Sequence, residues 1–130
     1  MKNTLFFVFS AFFIVFLARC KSQQEKAVEY GHICGCPYSS VGVEMATQDE
    51  KVRRKIEELI ERNVRYLESA IVGARMDGVI SAPDPKGAAR QIYTYALGLL
   101  LQARIHNDIR LLDDLKPSVM TLLGAGKAAA

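Results

Sequence analysis

The side chains best suited to chemistry stand close together. His32, Cys34 and Cys36 form an H-x-C-x-C pattern, three potential soft metal ligands within five residues. Structural zinc takes four ligands, usually with two or more residues between paired cysteines. Here one residue separates the cysteines, and the other histidine, His106, lies far along the chain. The segment therefore predicts a loop whose cysteines pack as small hydrophobes, with no metal and no cofactor. No serine has a Gly-x-Ser-x-Gly setting, no glycine-rich loop could cradle a phosphate, and neither histidine has an acid partner at diagnostic spacing. No catalytic residue is expected and the chain does not read as an enzyme. His106, in the run HND, fits a helix end better than a proton relay.

Composition narrows the class further. The 130 residues are half hydrophobic, enough for one domain with a sizeable core. Seventeen basic and fourteen acidic residues leave a net charge of +3. Much of the excess falls early: Lys2, Arg19, Lys21 and Lys26 stand against Glu25 and Glu29. The body is close to neutral, its Lys and Arg interleaved with Asp and Glu, so it offers no stripe to neutralise phosphates and no direct nucleic-acid contact is expected. Three cysteines, Cys20, Cys34 and Cys36, cannot all pair within one chain, which favours a reduced, cytoplasmic setting.

One segment points the other way. Residues 4–18, TLFFVFSAFFIVFLA, are uncharged and apolar, with Lys2 before them and Arg19 and Lys21 after. Fifteen residues fall short of the roughly 20 that span a bilayer and better match the core of a secretory signal. The LARC sequence at Cys20 is similar to a lipoprotein cleavage site, but Arg19 stands where such a site needs a small residue. A signal, a membrane anchor, a buried N-terminal helix or a truncation scar are the readings of this run. The alternative to a binding domain is thus a small membrane-anchored or exported helical protein.

The remaining elements are helical. Cys20 to Tyr30 is helix-compatible and Gly31 ends it; GHICGCPYSS is the clearest break, and SSVGVEMAT predicts a short helix capped by serine. Asp49 to Asp77 is the longest helix, with Val52, Ile56, Leu59, Ile60, Val64, Leu67, Ile71 and Ala74 on one stripe. Its outer face carries acid-first pairs four apart, Asp49 with Arg53, Glu50 with Arg54, Glu58 with Arg62 and Glu61 with Arg65, each worth about 0.2–0.5 kcal/mol. Gly78 closes it, and Asp84 with Pro85 opens the next helix. A last helix starts at Asp108, bent near Leu115 by Pro117. The tail carries little structural information.

The helix from Asp84 to Asn107 is the most informative. Gln91, Thr94, Gly98, Leu101, Gln102 and Ile105 project to one side; Ala89, Ile92, Tyr93, Ala96, Leu100 and Ala103 project to the other. A helix this apolar on both sides must be covered all round. A short chain can cover one side, and a second subunit is expected to cover the other. Met45, Tyr66, Met76, Tyr93, Tyr95 and Met120 are spread over four helices and could converge on an apolar effector with one or two hydroxyl anchors.

The order and spacing of these segments resemble the C-terminal regulatory domain of TetR-family transcriptional regulators. GCPYSSVGVEMATQDEKVRRKIEE looks like the Gly-Cys-Pro loop, short helix and charged long helix of that domain. DPKGAARQIYTYALGLLLQARIHND looks like its next helix, and DDLKPSVMTLLG like its last. The resemblance covers residues 20–126, leaving 1–19 as the apolar segment and 127–130 as a tail. It implies an all-α domain that dimerises through its last two long helices, giving a four-helix bundle at the interface. Carried over, the dimer face is Gln91, Thr94, Gly98, Leu101, Gln102, Leu112, Leu115, Val119 and Leu122 or Leu123. The effector pocket is Met45, Tyr66, Tyr93, Ala96 and Leu100. The family's helix-turn-helix head has no counterpart before Cys20, so the resemblance implies a truncated regulator that pairs with itself, or with a full-length partner as a mixed dimer.

Overall fold

A computed structural model describes residues 22–23 and 25–125. The apolar run 4–18, Cys20 and the tail 127–130 lie outside the described residues. Among the described residues the regular structure is entirely helical. Residues 25–30 are helical and end at Gly31, whose φ of +73° lets its amide turn back to the Ala27 carbonyl at 2.9 Å. There follow α1 (Pro37–Met45), α2 (Glu50–Met76), α3 (Pro85–His106), a 3₁₀ turn (Ile109–Asp114) and α4 (Leu115–Leu122).

The boundaries follow local chemistry. Asp49 caps α2, its carboxylate accepting from the Lys51 and Val52 amides at 2.8 and 3.1 Å. Asp84 caps α3 through the Gly87 amide at 3.0 Å, with Pro85 in the first turn, where its missing N–H costs nothing. Asn107 ends α3 in the left-handed region at φ +50°.

Three sequence expectations need correction. The short helix begins at Pro37, not at a serine; Cys36 is its cap residue with no side-chain bond, and the Ser40 hydroxyl donates to the Cys36 carbonyl at 3.2 Å. Of the expected ion pairs, Glu50–Arg54 forms at 2.9 Å, but Asp49 is committed to its cap and Arg53 binds Glu50 and Glu57 at 2.7 and 3.0 Å. The last helix is divided: the chain runs as 3₁₀ to Asp114 and as α-helix only from Leu115. Pro117 cannot follow a longer α-helix, because its ring would strike the carbonyl four residues back.

The core forms where α2 and α3 cross. Leu67, Ile71 and Ala74 of α2 meet Ala88, Ala89, Ile92, Ala96, Leu99 and Ala103 of α3. Leu112, Leu115, Val119 and Leu123 close it from the C-terminal side and Ile33 from the loop. The alanines matter because two helices approach closely only where small residues face each other. The apolar stripe of α2 is buried from Leu67 onward; its earlier positions, Val52 to Val64, remain partly or largely exposed.

Candidate functional site: the outer face of α3

The two sides assigned to α3 separate as the projection required. Ala89, Ile92, Ala96 and Ala103 are buried, with Tyr93 and Leu100 packed against the core. Gln91, Thr94, Leu101, Gln102 and Ile105 are exposed, Leu101 at 59% and Ile105 at 68%. Gly98 lies between them, and a Cβ built there would meet no atom within 4 Å. The outer side thus combines large exposed apolar groups with a position where another backbone can come near.

At the N-terminal half of this side, α3 and α4 enclose a groove of about 600 Å³. Its walls are Arg90, Gln91, Ile92, Thr94 and Tyr95 of α3 with Ser118, Val119 and Leu122 of α4. Four of these, Gln91, Thr94, Val119 and Leu122, belong to the dimer face implied by resemblance. Along one wall the Tyr95 hydroxyl donates to the Asp114 carboxylate, and the Ser118 hydroxyl lies 3.2 Å from Tyr95 and 3.3 Å from that carboxylate. This polar triangle holds the 3₁₀ turn and α4 against α3, fixing the groove's width. Tyr95 and Ser118 as a pair were missed in the sequence, since hydroxyls 23 residues apart give no local signal.

Part of the expected dimer face is not available. Leu112, Leu115 and Val119 are 4–6% exposed and serve the chain's own core. Leu123 is buried too, at 1%, which leaves Leu122 at 42% as the outward residue of the pair. The cause is the divided last element: a 3₁₀ turn and an eight-residue helix fold inward to close the core rather than offering a second long outer face.

The expected effector residues are gathered only in part. Tyr93, Ala96 and Leu100 share one side of α3, and the Asn63 amide donates to the Tyr93 hydroxyl at 3.3 Å. Tyr66 does not join them. It is 69% exposed, because it stands one residue before Leu67, about 100° around α2 from the core stripe. Met45, at the end of α1, is also exposed, and α1 buries none of its residues. Met76 is exposed at the C-terminal end of α2.

The H-x-C-x-C loop is organised by hydrogen bonds. Ile33 donates to the Asn107 side chain at 3.0 Å, and the Gln23 amide group pairs with both the amide and the carbonyl of Gly35, each at 3.0 Å. His32 is exposed, its Nδ1 2.9 Å from the Tyr30 carbonyl. Cys34 and Cys36 are free thiols, half-buried. Among the described residues, no three His, Cys, Asp or Glu side chains converge to hold a metal ion.

The shifted groups are surface pairs: Arg53, then Arg54, hold the Glu50 carboxyl at about 2, and Arg110 holds that of Asp108 at about 2. Each is a charge-assisted hydrogen bond in solvent, and none marks a proton-transfer site.

These features define an all-helical domain with an apolar helix face turned outward. The family model described as the tetracyclin repressor-like C-terminal domain matches residues 16–119, and the chain belongs to that family. The match begins inside the apolar run, four residues before Cys20. No curated protein and no solved structure matches the chain. The family is that of transcriptional regulators, not of enzymes. Among the described residues, no helix is long and apolar enough to cross a membrane.

Proposed function

We propose that this chain is the dimerisation and effector-sensing part of a tetracyclin repressor-like regulator, acting in the cytoplasm by pairing with a second copy or with a full-length relative. The observation that carries the reading is the outer side of α3, where Leu101 and Ile105 stand exposed beside Gly98. Exposed apolar side chains on successive turns are the form a helix takes when a partner helix covers it. Leu122 of α4 and the groove beside it extend the same surface. Leu112 and Leu115 are buried in the chain's own core, so the interface is centred on α3.

The effector side rests on Tyr93, Ala96 and Leu100, with the Tyr93 hydroxyl as a polar anchor already oriented by Asn63. A small apolar molecule carrying one hydrogen-bonding group suits this lining. By itself the 130-residue chain is not expected to bind operator DNA, because its basic residues are interleaved with acids and the net charge is only +3. Sedimentation over a concentration series tests assembly: a shift from one chain to two supports the reading, and a single-chain species at every concentration sinks it.

A further inference from the structure

The outer side of α3 differs between its two halves. Toward the C-terminus Leu101 and Ile105 project, 59% and 68% exposed. Toward the N-terminus the same side borders the groove of about 600 Å³ between α3 and α4. Ile92 and Val119 are the buried residues of its lining, and Gln91, Thr94 and Leu122 are exposed along it. Gly98 divides the halves, and a Cβ built there would meet nothing within 4 Å. One half carries apolar projections, and the other carries an apolar depression with room for side chains of that size.

The spacing matches the shapes. Gln91 and Ile105 each stand seven residues from Gly98, so they lie about 10.5 Å to either side of it along the axis. Seven residues bring a helix back to within about 20° of the same face. A two-fold axis perpendicular to α3 at Gly98 therefore sets the partner's Ile105 opposite Gln91 and the partner's Leu101 opposite Tyr95, both on the groove. A two-fold axis parallel to α3 would instead set Ile105 against its own copy and leave both grooves empty. Gly98 favours the perpendicular axis as well, because two helices come closest where no side chain separates them.

Resting on the dimer reading above, we propose that the groove is one half of a self-complementary interface. The two α3 helices cross antiparallel at Gly98; the partner's Leu101 and Ile105 fill this groove, and Leu101 and Ile105 of this chain fill the partner's. Each groove is complete only when the second copy is present, and the reciprocity closes the assembly at two chains. The Tyr95, Asp114 and Ser118 bonds that hold α4 against α3 then fix the width of the seat.

Charge variants followed by light scattering and sedimentation test the register. Ile105→Glu carries a carboxylate into each groove and should weaken the dimer about tenfold or more. Adding Gln91→Lys in the same chain sets opposite charges across the crossing and should recover most of that loss. Both positions are exposed, and circular dichroism checks that each variant is folded. In a parallel crossing like charges would face each other, so a double variant no tighter than the single one overturns the proposal. A dimer that Ile105→Glu leaves unweakened overturns it too. A second variant keeps the contact apolar, with p-benzoylphenylalanine at Ile105 and isotope-labelled and unlabelled chains mixed before irradiation. Crosslinks between chains at residues 91–95 or at Leu122 support the register. Crosslinks to residues 101–105 of the other chain, or none in a protein that scatters as a dimer, overturn the register and leave the dimer reading standing. An unaltered chain that is monomeric at every concentration overturns both.

Discussion

The side-chain oxygen of Asn107 accepts a hydrogen bond from the amide of Ile33 at 3.0 Å, joining residues 74 apart in sequence. The same side chain reaches the Gly31 carbonyl at 3.4 Å. One residue thus ends α3 and pins the cysteine-bearing loop. Asn tolerates the left-handed conformation and brings its own donor and acceptor, which few residues combine.

Replacing Asn107 separates these two contributions. Asn107→Ala strains the backbone and strands the Ile33 amide, costing about 2–4 kcal/mol of unfolding free energy. Asn107→Gly keeps the conformation and loses only the hydrogen bonds, costing about 1–2 kcal/mol. Urea denaturation of both variants checks the order. Equal losses would show that backbone strain contributes nothing.

Leu123 holds the C-terminal closure. It is 1% exposed, and its carbonyl accepts from the Ser81 amide at 3.2 Å. Leu123→Ala leaves a cavity and should cost about 2–5 kcal/mol, whereas Leu122→Ala in the isolated chain should cost less than about 1 kcal/mol. Thermal melts at a concentration too low for assembly would check the contrast between neighbours.

Acid sensitivity should be slight and of one sign. Glu50 titrates at about 2 in the folded chain against an ordinary 4.5, and Asp108 at about 2 against 3.8. Both folded values are lowered, so each pair contributes stability above the ordinary value, and that contribution disappears as pH falls toward 2. Glu50 is exposed and Asp108 half-buried, and both pairs reach solvent, so added salt should shrink the effect. Melting temperatures from pH 6 to 2 should fall less steeply for Glu50→Gln than for the unaltered chain; a steeper fall would contradict the assignment.

The helices that carry the architecture were legible because their signals are local. Asp49 and Asp84 as caps, Gly78 and Asn107 as ends, and the two sides of α3 all follow from spacing along one element. The last element was misjudged because its fate depends on closure of the core: Leu112, Leu115 and Val119 have the same spacing whether they face a partner or their own chain. Tyr66 was misplaced for a similar reason, since one step along a helix turns a side chain by about 100°. The Tyr95–Asp114–Ser118 triangle and the Gln23–Gly35 pairing join distant segments, so periodicity could not show them.

Gly87 shows how a cap constrains its helix. A Cβ there would collide with an Asp84 carboxylate oxygen. Gly87→Ala gains about 1 kcal/mol in helix propensity and displaces a cap of similar worth, so the two should nearly cancel. A stabilisation approaching the full propensity gain in chemical denaturation would show that the carboxylate swings aside without losing its bond.

The outer side of α3 is best tested at Gly98, where the chain itself has open space and a partner is expected to come close. Light scattering after size exclusion, applied to the unaltered chain and to Gly98→Trp, with circular dichroism to confirm equal helicity, addresses it directly. The account predicts a dimer for the unaltered chain and a folded monomer for Gly98→Trp. A monomeric unaltered chain, or a dimer that Gly98→Trp leaves intact, would contradict it.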